Sequence, residues 1–453
     1  MTNPLPDRAF SAPRRRVLQS TAAAFAGLAL SGCGAGRPGS RSLTPAIGNG
    51  TGAAPLVADP EGVLDLMQGF SYRVLSRAGD IMDDGLAVPD AGDGMGCFDL
   101  GGEIAVVRNH ELSPGADAGG ALSDGYARGE DGAVLPGGTT TLVLDPETLA
   151  VKRQFRSLAG TVRNCAGGIT PWGTWMTCEE PGSRIDRLPD HGFVFEVPAG
   201  ARGLVAARPI KAMGRFNHEA ACVDPATGIV YMTEDRGDGL FYRFVPDVPG
   251  DLARGGRLQA AALFSDLRDS RNWDSSRWAP GTAFEVDWID LDDVEAPRDD
   301  LRQRGAAAGA LLVARGEGIW MGDGELYFAA TNGGAKQLGQ IFRFVPGGAG
   351  GTDRLELFFE SADTAQLNYG DNLTVSPFGH LIVCEDQSGN AVANRLIGVT
   401  PAGEAYVFGA LKLQTELAGG CFSPDGRHFF VNAYSPTMTL AITGPWEELG
   451  GRV

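Results

Sequence analysis

Positive charge is in short supply. The 453 residues carry 38 Lys and Arg against 56 Asp and Glu, a formal net charge of −18. That balance excludes the basic face that nucleic acid needs as a partner. It leaves two uses for the acids: solvation, or the gathering of carboxylates around cations. Long apolar runs are lacking too. The stretch Ala22 to Leu30 is too short to cross a bilayer as a mature helix. Cysteine is not frequent enough for a small disulfide scaffold. Of the seven, Cys97, Cys165, Cys178, Cys222, Cys384 and Cys421 fall mostly inside strand-like runs, so no disulfide network is expected. No serine or threonine stands out as a covalent nucleophile.

What is present begins with an address. Arg14-Arg15-Arg16-Val17-Leu18-Gln19 has the pattern of a twin-arginine export signal, and Leu30-Ser31-Gly32-Cys33 that of a lipobox. Residues 1–33 are therefore expected to be a lipoprotein signal, with Cys33 the lipidated residue that ties the protein to a membrane. Residues 34–55, rich in Gly, Ser, Pro and Ala, read as a flexible tether. The expected location is periplasmic or cell-surface. Twin-arginine cargo is exported folded, which hints at a cofactor loaded beforehand.

Glycine is plentiful, at 66 residues, which suits many short strands joined by tight turns. A repeat makes this concrete. A turn glycine is followed by an alternating apolar strand that ends in acids or amides, starting at Gly102, Gly173, Gly228, Gly324, Gly379 and Gly426. Thr170-Pro171-Trp172, Ser376-Pro377-Phe378 and Ser423-Pro424-Asp425 preset the turns before three of these glycines. Six such units predict an all-β, six-bladed β-propeller with loop insertions over residues 56–447. Thr140–Leu144, Gly192–Val197, Leu240–Val245, Gln340–Val345 and Leu355–Glu360 are expected to complete the blades. Leu267–Arg304 reads as an insertion or lid, and its acidic Asp287–Asp293 segment as a surface loop.

The strand before each turn carries the chemistry. About eight residues before the turn glycine stand Cys165, Glu219, Glu317 and Asp371, whereas the last unit has Ala418. Innermost propeller strands all run the same way along the axis, so these places form a ring at one mouth of the channel. A thiolate and three carboxylates converging there would repel unless cations sat between them. Carboxylates suit iron(III) and Ca²⁺, and the thiolate favours a transition metal over Ca²⁺. A second acidic set ends the next strands: Glu111, Glu179 or Glu180, Glu234, and Glu385. Alternation along a strand means that both members of Glu179/Glu180, Glu234/Asp235 and Glu385/Asp386 do not face the axis together. His110 and His218 are more ordinary backbone-satisfying residues than ligands. Arg315, two residues from Glu317, is suited to grip a phosphate oxygen pair. Arg108, Arg236 and Lys336 are weaker candidates for that work.

Asn164-Cys165-Ala-Gly-Gly-Ile-Thr-Pro-Trp-Gly-Thr-Trp-Met-Thr-Cys-Glu-Glu180 closely resembles the PhoX alkaline phosphatase family. So do Asn109-His-Glu111, Asn217-His-Glu219, Arg315-Gly-Glu317-Gly and Asp371-Asn372, in the same order, from about residue 60 to 435. The resemblance implies hydrolysis of small phosphate monoesters at a cluster of two iron(III) and three Ca²⁺ ions. Carried over, Cys165 is an iron ligand. Glu180, Glu219, Glu234, Glu317, Asp371 and Glu385 are candidate metal carboxylates, alongside Glu111 and Glu179 from the strand pattern. Arg315 holds the phosphate. The chain is shorter than well-known family members. A monomer is expected, because propellers close on themselves. A calcium-dependent lactonase or phytase-like propeller, or a non-catalytic calcium-stabilised binding propeller, would need carboxylates but no thiolate, and Cys165 discriminates against both.

Overall fold

The computed structural model describes residues 55–188, 190–348, 350–387 and 393–450. The export signal, Cys33 and the tether up to residue 54 lie outside the described residues.

Each of the six repeats folds as an antiparallel strand pair. The first strands are Gly92–Asp99, Asn164–Ile169, His218–Val223, Gly316–Met321, Gly370–Val375 and Leu417–Phe422. Their partners are Ile104–His110, Thr174–Glu179, Val230–Glu234, Leu326–Ala330, Leu381–Glu385 and His428–Ala433. All six turn glycines have positive φ, between 74° and 110°, a conformation open to glycine at little steric cost. The first strands lie against one another in cyclic order, each touching the next and the last touching the first. The result is an all-β, propeller-like ring.

Further strands complete the sheets outward, among them Gly137–Leu144, Val194–Pro198, Gly239–Pro246, Gln340–Val345 and Arg354–Glu360. By hydrogen bonding the sheets number five. Two repeats share one ten-stranded path, because Ala283–Asp290 pairs with Gly256–Leu263 on one side and with Arg354–Glu360 on the other. That strand corrects the expectation of a loop over Asp287–Asp293. Val286 is buried, and Trp288 lies under the Arg243 guanidinium and donates to Asp353, so alternation outweighs the local acidity.

The ring closes with its own ends. Ser71–Arg77 adds a fourth strand to the last sheet by pairing with Met438–Thr443. This joins the start of the domain to its end and removes an open edge. Between sheets the core is aromatic: Phe241 stacks on Phe328 at 4.7 Å and Tyr231 meets Phe344 at 4.9 Å. The six described cysteines are buried free thiols. Among the described residues no helix is long and apolar enough to cross a membrane.

Candidate metal centre

One irregularity, repeated around the ring, builds the centre. In five of the six pairs the register slips by one residue directly after the first pair, as between Gly92↔His110 and Met95↔Arg108. Each slip is a β-bulge, which re-aims one side chain. The residues at these bulges are Asp93, Cys165, Glu219, Glu317 and Asp371. The sixth strand has Ala418 at that place and slips one residue later. Glycines let neighbouring bulges approach: a Cβ on Gly318 would lie 2.7 Å from Asn372 Cα, and one on Gly419 2.3 Å from the Asp93 carbonyl oxygen. Amides and hydroxyls of the second strands then hold the next bulge. Asn109 donates to the carbonyls of Cys165 and Ala166 at 2.9 and 2.7 Å, Asn432 to that of Asp93 at 2.7 Å, and Thr233 to that of Glu317 at 2.5 Å.

A second tier comes from the residue just beyond each second strand: Glu111, Glu180, Asp235 and Asp386. The tiers merge into overlapping groups of potential ligands. Asp93–Glu111–Cys165, Cys165–Glu180–Glu219, Glu219–Glu317–Asp371 and Asp371–Asp386–Glu416 each bring ligand atoms within 4.8 Å of one another. Beneath them the channel narrows to a cavity of about 20 Å³ lined by small residues such as Gly94, Ala166 and Gly318. That is room for about one water; the groups of potential ligands form a cup beside this constriction.

Electrostatics show how unfavourable this cup is when empty of counter-charge. Burial, with repulsion from Glu111 and Asp371, pushes Asp93 far above the carboxylate range. Burial with Asp371 and Asp93 does the same to Glu219, and burial with Asp235 to Glu317 and Glu180. Asp371 is pushed up to about 8 by burial and by Asp386. The Cys165 thiol is raised by burial and by Asp93. Asp93 Oδ1 and Glu219 Oε2 are buried without any hydrogen-bond partner. Buried acids in such number, with orphaned oxygens and one thiol, fit cations as the missing partners.

The structure brings together Cys165, Glu111, Glu180, Glu219, Glu317 and Asp371 among the residues expected from sequence. It does not bring in Glu179, Glu234 or Glu385. Glu179 accepts from His191 at 2.6 Å and from the amides of Val162, Gly192 and Phe193. Glu234 accepts from the Tyr242 hydroxyl at 2.7 Å, and Glu385 is held by Arg395 and the Asn368 amide. In each acid pair the last residue of the strand turns into its own sheet, and its successor enters the cup. His110 is tied to the Asp90 carbonyl and Thr140, and His218 to the Gly214 carbonyl. Arg108 is buried against Thr140, Ser76 and Thr439, Arg236 donates to the Gly182 carbonyl, and Lys336 is exposed. Arg315 does reach the rim. It meets Asp235 at 2.6 Å and Glu317 at 2.7 Å. Burial alone would lower its pKa, but Glu317 and Asp235 carry it above the usual arginine value.

Sequence reasoning missed Asp93, Glu416 and Arg163. Asp93 stands nine residues before Gly102, the same interval as Glu219 before Gly228, so the spacing could have found it. Glu416 precedes its strand and so falls outside the spacing. Arg163 holds the place before its inner strand that Arg315 holds before another, a parallel visible once the strands are aligned.

A propeller-like ring with a buried acid-and-thiol cup, flanked by arginine, defines a class: a protein suited to hold cations against an anionic substrate. The family model for alkaline phosphatase PhoX matches residues 51–437, and the chain belongs to that family. It is thereby a phosphoric monoester hydrolase. Among solved structures it is similar to Pseudomonas fluorescens PhoX in complex with vanadate, a transition-state analogue. The identity is 20%, the TM-score 0.67, and the match covers 88% of this chain and 98% of that one; the likeness shows a shared fold. A gluconolactonase from Xanthomonas campestris matches at 16% identity and a TM-score of 0.39, covering 87% of this chain and 98% of that one. No curated protein matches the chain by sequence.

Proposed function

We propose that this phosphatase hydrolyses small phosphate monoesters at an iron(III) and calcium centre in the cup, within a six-bladed propeller spanning residues 56–447. The six inner strands in cyclic contact support the blade count. The observation that carries the metal assignment is Cys165 among carboxylates: a thiol beside Asp93, Glu111, Glu180 and Glu219 suits a transition metal, while the all-carboxylate groups around Asp371, Asp386, Glu317 and Glu416 suit Ca²⁺. These residues would hold the ions. When bound, such ions neutralise charge developing on the phosphoryl oxygens and make a nucleophile available near neutral pH.

The chain's own residues do the rest. Arg315 takes the phosphoryl oxygens through its guanidinium, held at the rim by Asp235 and Glu317. The narrow channel floor limits water to the mouth side. Burial and mutual repulsion disfavour the charged forms of Asp93, Glu219, Glu317 and Asp371, and bound cations would offset that. The likeness to PhoX with vanadate bound is in line with a phosphoryl site in this fold.

Export by the twin-arginine route, lipidation at Cys33, a periplasmic or cell-surface position and a monomeric state complete the proposal. They rest on the Arg14–Gln19 and Leu30–Cys33 patterns and on a ring closed by its own ends.

The test is elemental analysis of protein purified in its exported form, together with hydrolysis of p-nitrophenyl phosphate. Iron and calcium in each chain, with turnover, support the proposal. Calcium alone, without turnover at any pH, rejects the metal assignment and the activity.

A further inference from the structure

The rim holds a second arginine that the chemistry above does not use. Arg163 directly precedes the Asn164–Ile169 strand, as Arg315 directly precedes Gly316–Met321. Both have left-handed backbone, with φ of 46° and 49°, a conformation that surrounding structure must enforce on a non-glycine residue. Arg163 meets Glu111, and also Glu180 at 3.0 Å, while its Nε donates to the Glu180 carbonyl at 2.9 Å. Arg315 meets Asp235 and Glu317. Glu180 and Asp235 in turn interact with each other, so each guanidinium holds one member of a single carboxylate pair.

Neither arginine is spent on those contacts. Their side chains are 30% and 31% exposed although both are held by carboxylates. Among the described residues neither Nη1 has a hydrogen-bond partner.

Between them in ring order comes Asn217, the residue before His218–Val223. It is 1% exposed, its Oδ1 accepts from the Gly182 amide at 3.1 Å, and its Nδ2 is buried without a partner among the described residues. A buried amide donor left without an acceptor is unfavourable. Cations cannot satisfy a donor, so whatever does so brings oxygen lone pairs. The two spare Nη1 groups, with an amide between them in ring order, are donors suited to the peripheral oxygens of a tetrahedral phosphoryl group.

We propose that Arg163 and Asn217 complete, with Arg315, an arc of three residues that binds the phosphoryl group of the substrate. The inference rests on the phosphomonoesterase reading of the same site.

The experiment uses the metal-loaded mature protein and its R163Q, R163K and N217D variants. N217D keeps the oxygen that accepts from Gly182 and replaces only the donor. Four quantities are measured: metal per chain, KM for p-nitrophenyl phosphate, competitive inhibition by inorganic phosphate, and calorimetric binding of inorganic phosphate. R163Q and N217D are expected to weaken phosphate binding and raise KM together, each by about tenfold or more, the value of hydrogen bonds to a charged group. R163K recovers part of the loss, since it keeps charge without the fork. Metal per chain stays unchanged. Unchanged phosphate affinity at full metal content overturns the arc while leaving the phosphatase reading intact. Affinity lost only in step with metal also overturns it, because Arg163 then merely positions Glu111 and Glu180. A wild-type protein that neither binds phosphate nor turns over ester overturns both readings.

Discussion

Glu179, Glu234 and Glu385 stitch sheets together, and their immediate neighbours Glu180, Asp235 and Asp386 line the cup. The two sets are adjacent acids in the same dipeptides, yet they have different surroundings. Glu179 sits among amide donors and His191, and Glu385 among Arg395 nitrogens and two amides. Glu180 faces Asp235 and Glu111 as well as Arg163. Glu179 and Glu385 are satisfied by several donors and Glu234 by the Tyr242 hydroxyl on one oxygen; the second set faces other acids as well as its arginines. A buried acid is therefore read by its donors, not by its depth.

The comparison can be broken at either set. The largest effect is expected in the cup. Cys165→Ala should lower turnover of p-nitrophenyl phosphate by about a thousandfold, the loss of several kcal/mol of charge stabilisation, with metal per chain reduced. Full turnover in that variant would remove the thiol from the centre. The sheet set should respond in stability. Glu385→Ala leaves the half-buried Arg395 without its carboxylate and should cost about 2–3 kcal/mol in denaturant unfolding, while the folded fraction keeps its metal. A Glu385→Ala protein that is stable but metal-free would reverse the assignment of the pair.

A third effect sharpens the contrast by pH. Without cations, Asp371 holds its proton up to about 8 in the folded protein, against 3.8 for its ordinary value, because burial and Asp386 disfavour the charge. The folded state then binds more protons than the unfolded chain between those values. Stability of the chelated protein should fall as pH rises from about 4 to about 8 and level off above that. Cations remove the cause, so the loaded protein should lack this slope when the two are melted side by side across that window. The smallest effect is expected at His218. Replacement by Asn should cost about 1 kcal/mol through the bond to the Gly214 carbonyl, and leave KM unchanged. A tenfold rise in KM would place His218 in the site after all.

Much of this was legible in one dimension. The turn glycines, the alternation of the following strands and the recurrence of thiol or acid before them are local signals, each set by φ preferences and by the two-residue period of a strand. Cys165, Glu219, Glu317 and Asp371 were found that way, and all four lie in the cup. Asp93, nine residues before Gly102 as Glu219 is before Gly228, lay within reach of the same spacing. Asp287 was misjudged because its acidity is a weaker cue than the apolar partners on either side of it.

The sequence by itself determined six strand–turn–strand repeats and the residue types at their mouths, since turn chemistry and alternation act within a few residues. Only the tertiary structure decided which acid of each pair enters the cup, that Asp93, Glu416 and Arg163 join it, and that the repeats merge into five hydrogen-bonded sheets. Those outcomes depend on where a strand stops, on a one-residue bulge and on the closing of the ring. These bring Asp93 within electrostatic reach of Asp371, 278 positions further along the chain, a proximity that no local pattern encodes.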